Sequence, residues 1–572
     1  MTANQFITEI LKSGTPLTIS GETISGQVDI QTSLVATGII IEDCIFEDGF
    51  FIENIDLNCG IKFIGCDFKK NLSINNCTAR NYDQAFNFDS YHIEFKDTKI
   101  QGLYFNGNNQ IERGVRISEK SEIKRIQVRT LISNKGSFAI EDSSIEGIID
   151  ISQAQLNGDF SIRNNSTIKE KVRVENLRAG SIVFTDSDFL KDIHIWAGNI
   201  GSLTFNDGKF EDDLSISAVP ISSYLTVIGT EFKKSISFNI QDDTNNKTGK
   251  LTKVYIQSGK FGEQFIINGG NNEIDKLTID TSKQLEGDLY FNSCNIIQSK
   301  VSGNNYNSNI VFNHSNFNKL NFDFFNNYST VSIISAKSFN EESELIIAHS
   351  NLGKTHLFNT FLNTFNKVGI YNSVLTEIIT ANVTWFKDEN LNPDISESSG
   401  NYTYKKEIYR QLKFALEKQG DRITSLKFKA LEMSAFKSES FSKVKKYKRI
   451  FNIDRFVLWV GQSNNFGQHW LKPALIAIGF TLFFYALMIV GLSDNLSYIP
   501  NLSCESIRET TRTFWDNAYA IPQLLNPTHI LSRVFKGYPE IGFLVYLWDY
   551  LLKIILAFFI FQVISAFRKY MK

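Results

Sequence analysis

Two charged residues lie four apart inside a long apolar run: Asp549 and Lys553, within Ile541 to Phe567. Ionisable groups in such a setting point either to an ion or proton path, or to a pair that neutralises itself on one helix face. Both lie in the first half of the run, where a membrane interface could hold them, so the ion pair is the favoured role and the pore role its alternative. Gln562 lies further along, among Phe559, Phe561 and Val563. An amide at that point is suited to hydrogen-bond between helices.

Other residue pairs offer weaker chemistry. Asp212-Asp213, Asp242-Asp243 and Glu341-Glu342 could supply the two carboxylates of glycoside hydrolysis. Each pair falls in a turn-forming context, where acidic residues are ordinary solvated turn formers. His349 and His356 are too loosely spaced for a metal site, and no Cys-x-x-Cys pair occurs among the six cysteines. The expectation is no catalytic residue, no metal and no cofactor. The scattered cysteines imply buried thiols in a reducing compartment.

The elements that must carry Asp549, Lys553 and Gln562 are apolar helices. Ala474 to Ser493 gives 20 residues without a charge, enough to cross a hydrocarbon core of about 30 Å. A buried core helix is the alternative for either run, less so for the first. The sequence therefore predicts an interfacial segment over 451–473 and a first span over 474–493. An outer loop at 494–540, possible as a re-entrant piece, and a second span over 541–567 follow.

The formal charge of −2 conceals a strong asymmetry. Residues 404–450 hold 14 Lys/Arg against 5 Asp/Glu, while residues 1–403 carry about −14. Lys443, Lys445, Lys446, Lys448 and Arg449, followed by Phe451, Phe456, Trp459, Phe466 and Trp470, read as a basic, aromatic approach to an anionic lipid surface. Arg568, Lys569 and Lys572 assign the far end of the second span to the same, cytoplasmic side. The N-terminus shows no basic region leading into an apolar one, so no secretory signal is expected. An acidic body makes nucleic acid an unexpected partner.

That body has a regular beat. Apolar-x-apolar triplets begin at 160, 172, 182, 193, 203, 214, 225 and 236, and the pattern runs on to Val368-x-Ile370. Upstream, Cys44-x-Phe46 recurs as Cys66-x-Phe68, and Phe50-x-Ile52 as Leu72-x-Ile74, both offset by 22. Such triplets, separated by Asn, Asp, Gly and Lys, read as short strands joined by turns. A strand about every 11 residues predicts a mainly β chain, with a parallel solenoid of about 22 residues per coil over 1–390. About 16 coils would make a rod near 75–80 Å, with Asn-rich turns stacked outside.

After Gly400 the period becomes helical. Ile408, Tyr409, Leu412, Ala415 and Leu416 share one face, Gly420 is placed as a helix stop and Asp421 as the next N-cap. A basic helical hairpin over 401–450 is expected, as an end-cap and spacer. The run Tyr409…Leu412…Gly420-Asp421…Phe428…Ala430-Leu431 looks like a single tetratricopeptide repeat.

The Phe/Leu-x-x-x-Φ-x-Φ beat resembles right-handed parallel β-helices and is similar to degenerate pentapeptide-repeat proteins, over residues 20–385. The strict five-residue code of that family is absent. Trp459 to Trp470 (Trp-Val-Gly-Gln-Ser-Asn-Asn-Phe-Gly-Gln-His-Trp), with the two spans ending Phe561 to Lys569, resembles bacterial proteins that join repeat domains to a two-span, ion-channel-like module. Lys536-Gly537-Tyr538-Pro539 is only a local echo of a potassium filter. The resemblance implies a cytoplasmic sensor or scaffold on a bacterial inner membrane, coupled to a pore-like unit. Two helices cannot enclose a channel, so a pore requires a homo-oligomer. A purely structural tether, with an unidentified protein partner on the solenoid, is the main alternative. A polysaccharide-acting enzyme is a minor one.

Overall fold

Each coil of the N-terminal unit turns at residues whose backbone is left-handed. One column of corners includes Asp43, Asp97, Asp142, Asp186 and Asp207; a second includes Asn54, Asn76, Thr130, Gln153 and Asn176. Asx side chains tolerate this conformation better than most, which is why the turns are rich in Asn and Asp. Gly114 shows the stricter case: its φ is +83°, and a Cβ there would lie 2.0 Å from the Ser137 carbonyl oxygen of the next coil.

Between corners run short parallel strands. The computed structural model describes residues 1–572 except 13–16, 35–37, 58–59, 80–90, 218–220, 240–249, 271, 393–397, 444–457, 459–460, 493–503, 539 and 568–572. Among the described residues, 38 strands join into one parallel ladder. The solenoid has about 15 turns of about 22 residues. Register links Leu17 to Ile39, Ile39 to Ile61, and Ile93 to Val115. Three coils are longer: Ile61 pairs with Ile93, Leu225 with Val254, and Leu320 with Leu345. The first two lengthenings fall on 80–90 and 240–249, outside the described residues.

Apolar triplets fill the interior. Both apolar residues of the eight triplets that begin between 160 and 236 are 2% exposed or less. Stacked phenylalanines run along the axis: Phe189 on Phe210 at 4.6 Å, and Phe210 on Phe232 at 4.7 Å. Burying each such ring is worth about 1.5–3 kcal/mol. Beside the corners, small hydroxyls and thiols point inward and donate to carbonyls of the preceding coil. Cys66 Sγ reaches the Ile41 oxygen at 3.3 Å, Ser315 Oγ the Phe291 oxygen at 2.8 Å, and Thr360 Oγ1 the Ile333 oxygen at 3.0 Å. Cys44, Cys66, Cys77 and Cys294 are therefore buried thiols in a polar seam of the core. Burial pushes Cys66 and Cys294 up to about 12.

A short helix, α1 (Ala3–Lys12), covers the first coil. Thr2 and Gln5 exchange side-chain and backbone hydrogen bonds at its start, a capping box. Phe6 and Ile10 are buried, Phe6 edge-on to Phe46 at 5.5 Å. The open sheet end that would otherwise invite pairing is thus plugged.

The second unit, Pro393–Lys572, is helical. Helices α2 (Ser398–Lys418) and α3 (Arg422–Lys443) form the hairpin. Gly420 takes φ 80° at the stop, and Asp421 Oδ1 accepts the Thr424 N–H at 3.1 Å. Tyr409, Leu412 and Phe428 are buried in the seam, which Lys406–Glu439 and Lys413–Glu432 ion pairs flank at 2.5 and 2.7 Å. Two apolar helices follow, α4 (Leu471–Leu492) and α8 (Phe543–Phe567), both long enough to cross a membrane. Between them lie α5 (Cys504–Asp516), α6 (Ala520–Leu524) and α7 (Leu531–Val534).

Candidate functional site

Helices α4 and α8 pack through one face each. Tyr485, Met488 and Ile489 of α4 meet Leu552, Leu556 and Phe559 of α8 in a buried cluster. The other faces stay bare: Leu475 and Phe483 are each 58% exposed, Phe543 78% and Phe561 59%. Exposed aromatic and aliphatic side chains in that number mark an interaction surface, and both helices are long and apolar enough to cross a membrane.

The connector is folded onto this pair rather than looping free. Ala520, Leu524, Leu531, Val534 and Phe535 join the same cluster. Tyr485 donates its hydroxyl hydrogen to the Phe514 carbonyl at 2.5 Å, and Asn517 Nδ2 donates to Tyr538 Oη at 3.2 Å.

Asp549 sits where connector and second apolar helix meet, and its carboxylate is shared. Lys553 Nζ donates to Oδ2 at 2.7 Å from one turn along α8. His529 Nε2 lies 2.6 Å from Oδ1. The His529 and Asp549 side chains are 5% and 6% exposed, that of Lys553 29%. The i,i+4 pairing is thus present, and a third member has joined it. His529 lies 20 residues upstream in a loop, with no spacing pattern linking it to Asp549. Its only sequence signal is a polar Asn526-Pro527-Thr528-His529 turn in an otherwise apolar neighbourhood.

Gln562 does not bond across to α4. Its side-chain oxygen accepts from Asn464 Nδ2 at 2.5 Å, and its backbone carbonyl lies 3.3 Å from the same nitrogen. Asn464 belongs to the turn preceding α4, in which Asn465, Phe466 and Gly467 have φ of 50°, 54° and 92°. Three successive left-handed residues, one a phenylalanine, are a costly conformation. It is held by Asn464, whose carbonyl accepts the Gln468 and His469 N–H groups at 2.9 and 3.0 Å. Trp470 stacks on Phe567 at 5.4 Å nearby. Lys437 of α3 contacts Gln462 in the same turn, so polar contacts run from the hairpin through this turn to the end of α8.

Lys443 ends α3, and nothing is described of its side chain; Lys445, Lys446, Lys448 and Arg449 lie outside the described residues. Of the carboxylate pairs, Asp212 is held by Lys234 at 3.1 Å, whose hydrogen bond keeps its carboxyl below the usual carboxylate range, and Asp213 accepts the Ser235 N–H at 3.2 Å. Asp242 and Asp243 lie outside the described residues. His349 stacks on Phe324 at 4.7 Å, while His356 Nδ1 lies 3.5 Å from Ser332 Oγ. Among the described residues no group of three or more His, Cys, Asp or Glu could hold a metal. Glu94, 1% exposed, is surrounded by Lys62 at 3.1 Å, Arg116 at 3.5 Å and Lys96 at 3.7 Å. Lys62, Glu94 and Arg116 share one register line across three coils, so this cluster reads as a cross-coil ion ladder.

No family profile, curated protein or solved structure matches this chain.

Proposed function

We propose that this protein is a membrane-anchored solenoid whose two apolar helices assemble, in several copies, into a pore-like unit. The solenoid is the sensor or scaffold, carried on the cytoplasmic face of a bacterial inner membrane. One observation carries the proposal: α4 and α8 leave bulky apolar faces uncovered, while α8 and the connector gather the buried His529 and Asp549 side chains with half-buried Lys553 into one polar cluster. Charged groups kept in an apolar helix pair mark a path or a switch more often than they serve anchoring. The basic residues 443–449 and 568–572 support the cytoplasmic assignment of both ends.

A passive anchor is the second reading. It is favoured by the self-sufficiency of the cluster, since both Asp549 oxygens find donors within one chain. Purified protein in liposomes separates the two. The pore reading expects ion flux, abolished by Lys553→Leu or Gln562→Leu, from an oligomer in detergent. A monomer, or a silent bilayer containing an intact oligomer, leaves the anchor.

A further inference from the structure

We propose that His529, Asp549 and Lys553 form a proton-binding site that fastens the connector to the second apolar helix. The imidazole is placed between two oxygens. On one side, Asn526 makes a tight turn: its Oδ1 accepts both the Thr528 N–H at 3.1 Å and the Thr528 hydroxyl at 2.8 Å. That turn sets the Asn526 carbonyl 2.6 Å from His529 Nδ1. A carbonyl brings no proton, so Nδ1 must donate one. On the other side Nε2 lies 2.6 Å from Asp549 Oδ1. With the first proton committed to Asn526, this contact needs a second. Lys553 on Oδ2 places that proton on the ring rather than on the carboxyl. The cluster therefore holds one proton more than a neutral imidazole beside a carboxylate.

Removing one of the two protons leaves a single N–H between the Asn526 carbonyl and Asp549, so in either tautomer one contact sets two lone pairs against each other at hydrogen-bonding distance. The neutral ring can keep only one of the two oxygens, and with the His529 and Asp549 side chains 5% and 6% exposed little water can fill in for the other. Asp549 keeps Lys553 in both cases, so what is lost is the bridge through the ring from the Asn526 turn to α8. The site is filled at low pH and empties as pH rises. Other titratable groups nearby are otherwise engaged. Tyr485 bonds Phe514 and Tyr538 accepts from Asn517, while Arg533, Lys536 and Glu540 are exposed. The proposal rests on the membrane reading only for its consequence in a bilayer, and ring protonation is measurable in detergent whether or not the protein conducts.

The test uses full-length protein labelled with 15N-histidine in micelles. The His529 signals are assigned by their loss in His529→Gln. The wild-type ring is expected to keep both protons to a higher pH than the ring in Asp549→Asn, whose shape is conserved and whose elution volume serves as the folding check. Hydrogen exchange of the Asn526, Thr528, His529 and Ile530 amides should quicken as the wild-type ring loses its second proton. A wild-type ring that loses its second proton at the same pH as the ring in Asp549→Asn overturns the site. Exchange that stays constant through the deprotonation step overturns the fastening.

Discussion

His92 shows how this fold disciplines a single residue. It is 1% exposed, and its Nδ1 accepts the Arg113 backbone N–H at 2.9 Å. Burial penalises the cation, so the group falls to about 4 from an ordinary 6.5, and the bond occupies the lone pair a proton on Nδ1 would need. An unfolded histidine takes its proton below about pH 6.5, while this one does not until about 4. The unfolded state thus gains protons first, and stability declines as pH falls through that window, by about 3 kcal/mol in total. Above it the residue has no effect. Denaturant titration of wild type and His92→Gln from neutral to acid pH should show a shallower decline in the variant; parallel curves would refute the assignment. At the same scale, the burial of Cys44, Cys66, Cys77 and Cys294 was legible, but their partners were not, and Cys504 is exposed against the expectation. A cysteine that replaces a serine or threonine in a core seam is recognised only once coils are stacked.

At the level of elements, the solenoid is built from strands too short to be stable alone, so each coil depends on its neighbours. The phenylalanine column is the sharpest instance. Phe210, 2% exposed, is stacked between Phe189 and Phe232, and Phe210→Ala should cost about 3–5 kcal/mol, measured by chemical unfolding. A loss below about 1 kcal/mol would mean that the coils close over the gap. The triplets and their 22-residue echo made these strands legible, because one buried face repeats wherever the corner residues repeat. Longer coils were not legible, since an insertion at a corner leaves the flanking triplets intact and only delays them. Nor was α1, whose Phe6 and Ile10 make sense only against the end of a stack. In the helical unit, Asp549 and Lys553 could be paired from their spacing, but His529 and Asn464 could not. Both come from turns whose reach depends on Asn526-Pro527 and on three left-handed residues, conformations that no periodicity announces.

For the whole molecule, the division after Asn392 separates two different ways of burying apolar surface. The first unit closes its core within itself, with α1 over one end. A chain ending at Asn392 should therefore remain soluble and melt cooperatively, with a β-type circular dichroism spectrum; an unfolded or aggregated product would show that the helices complete its core. The helical unit instead leaves bulky apolar faces exposed on its two long helices, which the proposed membrane assembly would cover. The corner columns bear on how such a protein changes over time. Because the left-handed residues recur in register, a coil is a complete unit of inheritance: duplication or loss of about 22 residues joins like to like. Each such event alters the stack by one strand spacing, about 4.8 Å, and leaves the α1 end and the helical unit unchanged. Reach can thus be adjusted in even steps, independently of whatever the membrane-competent end does.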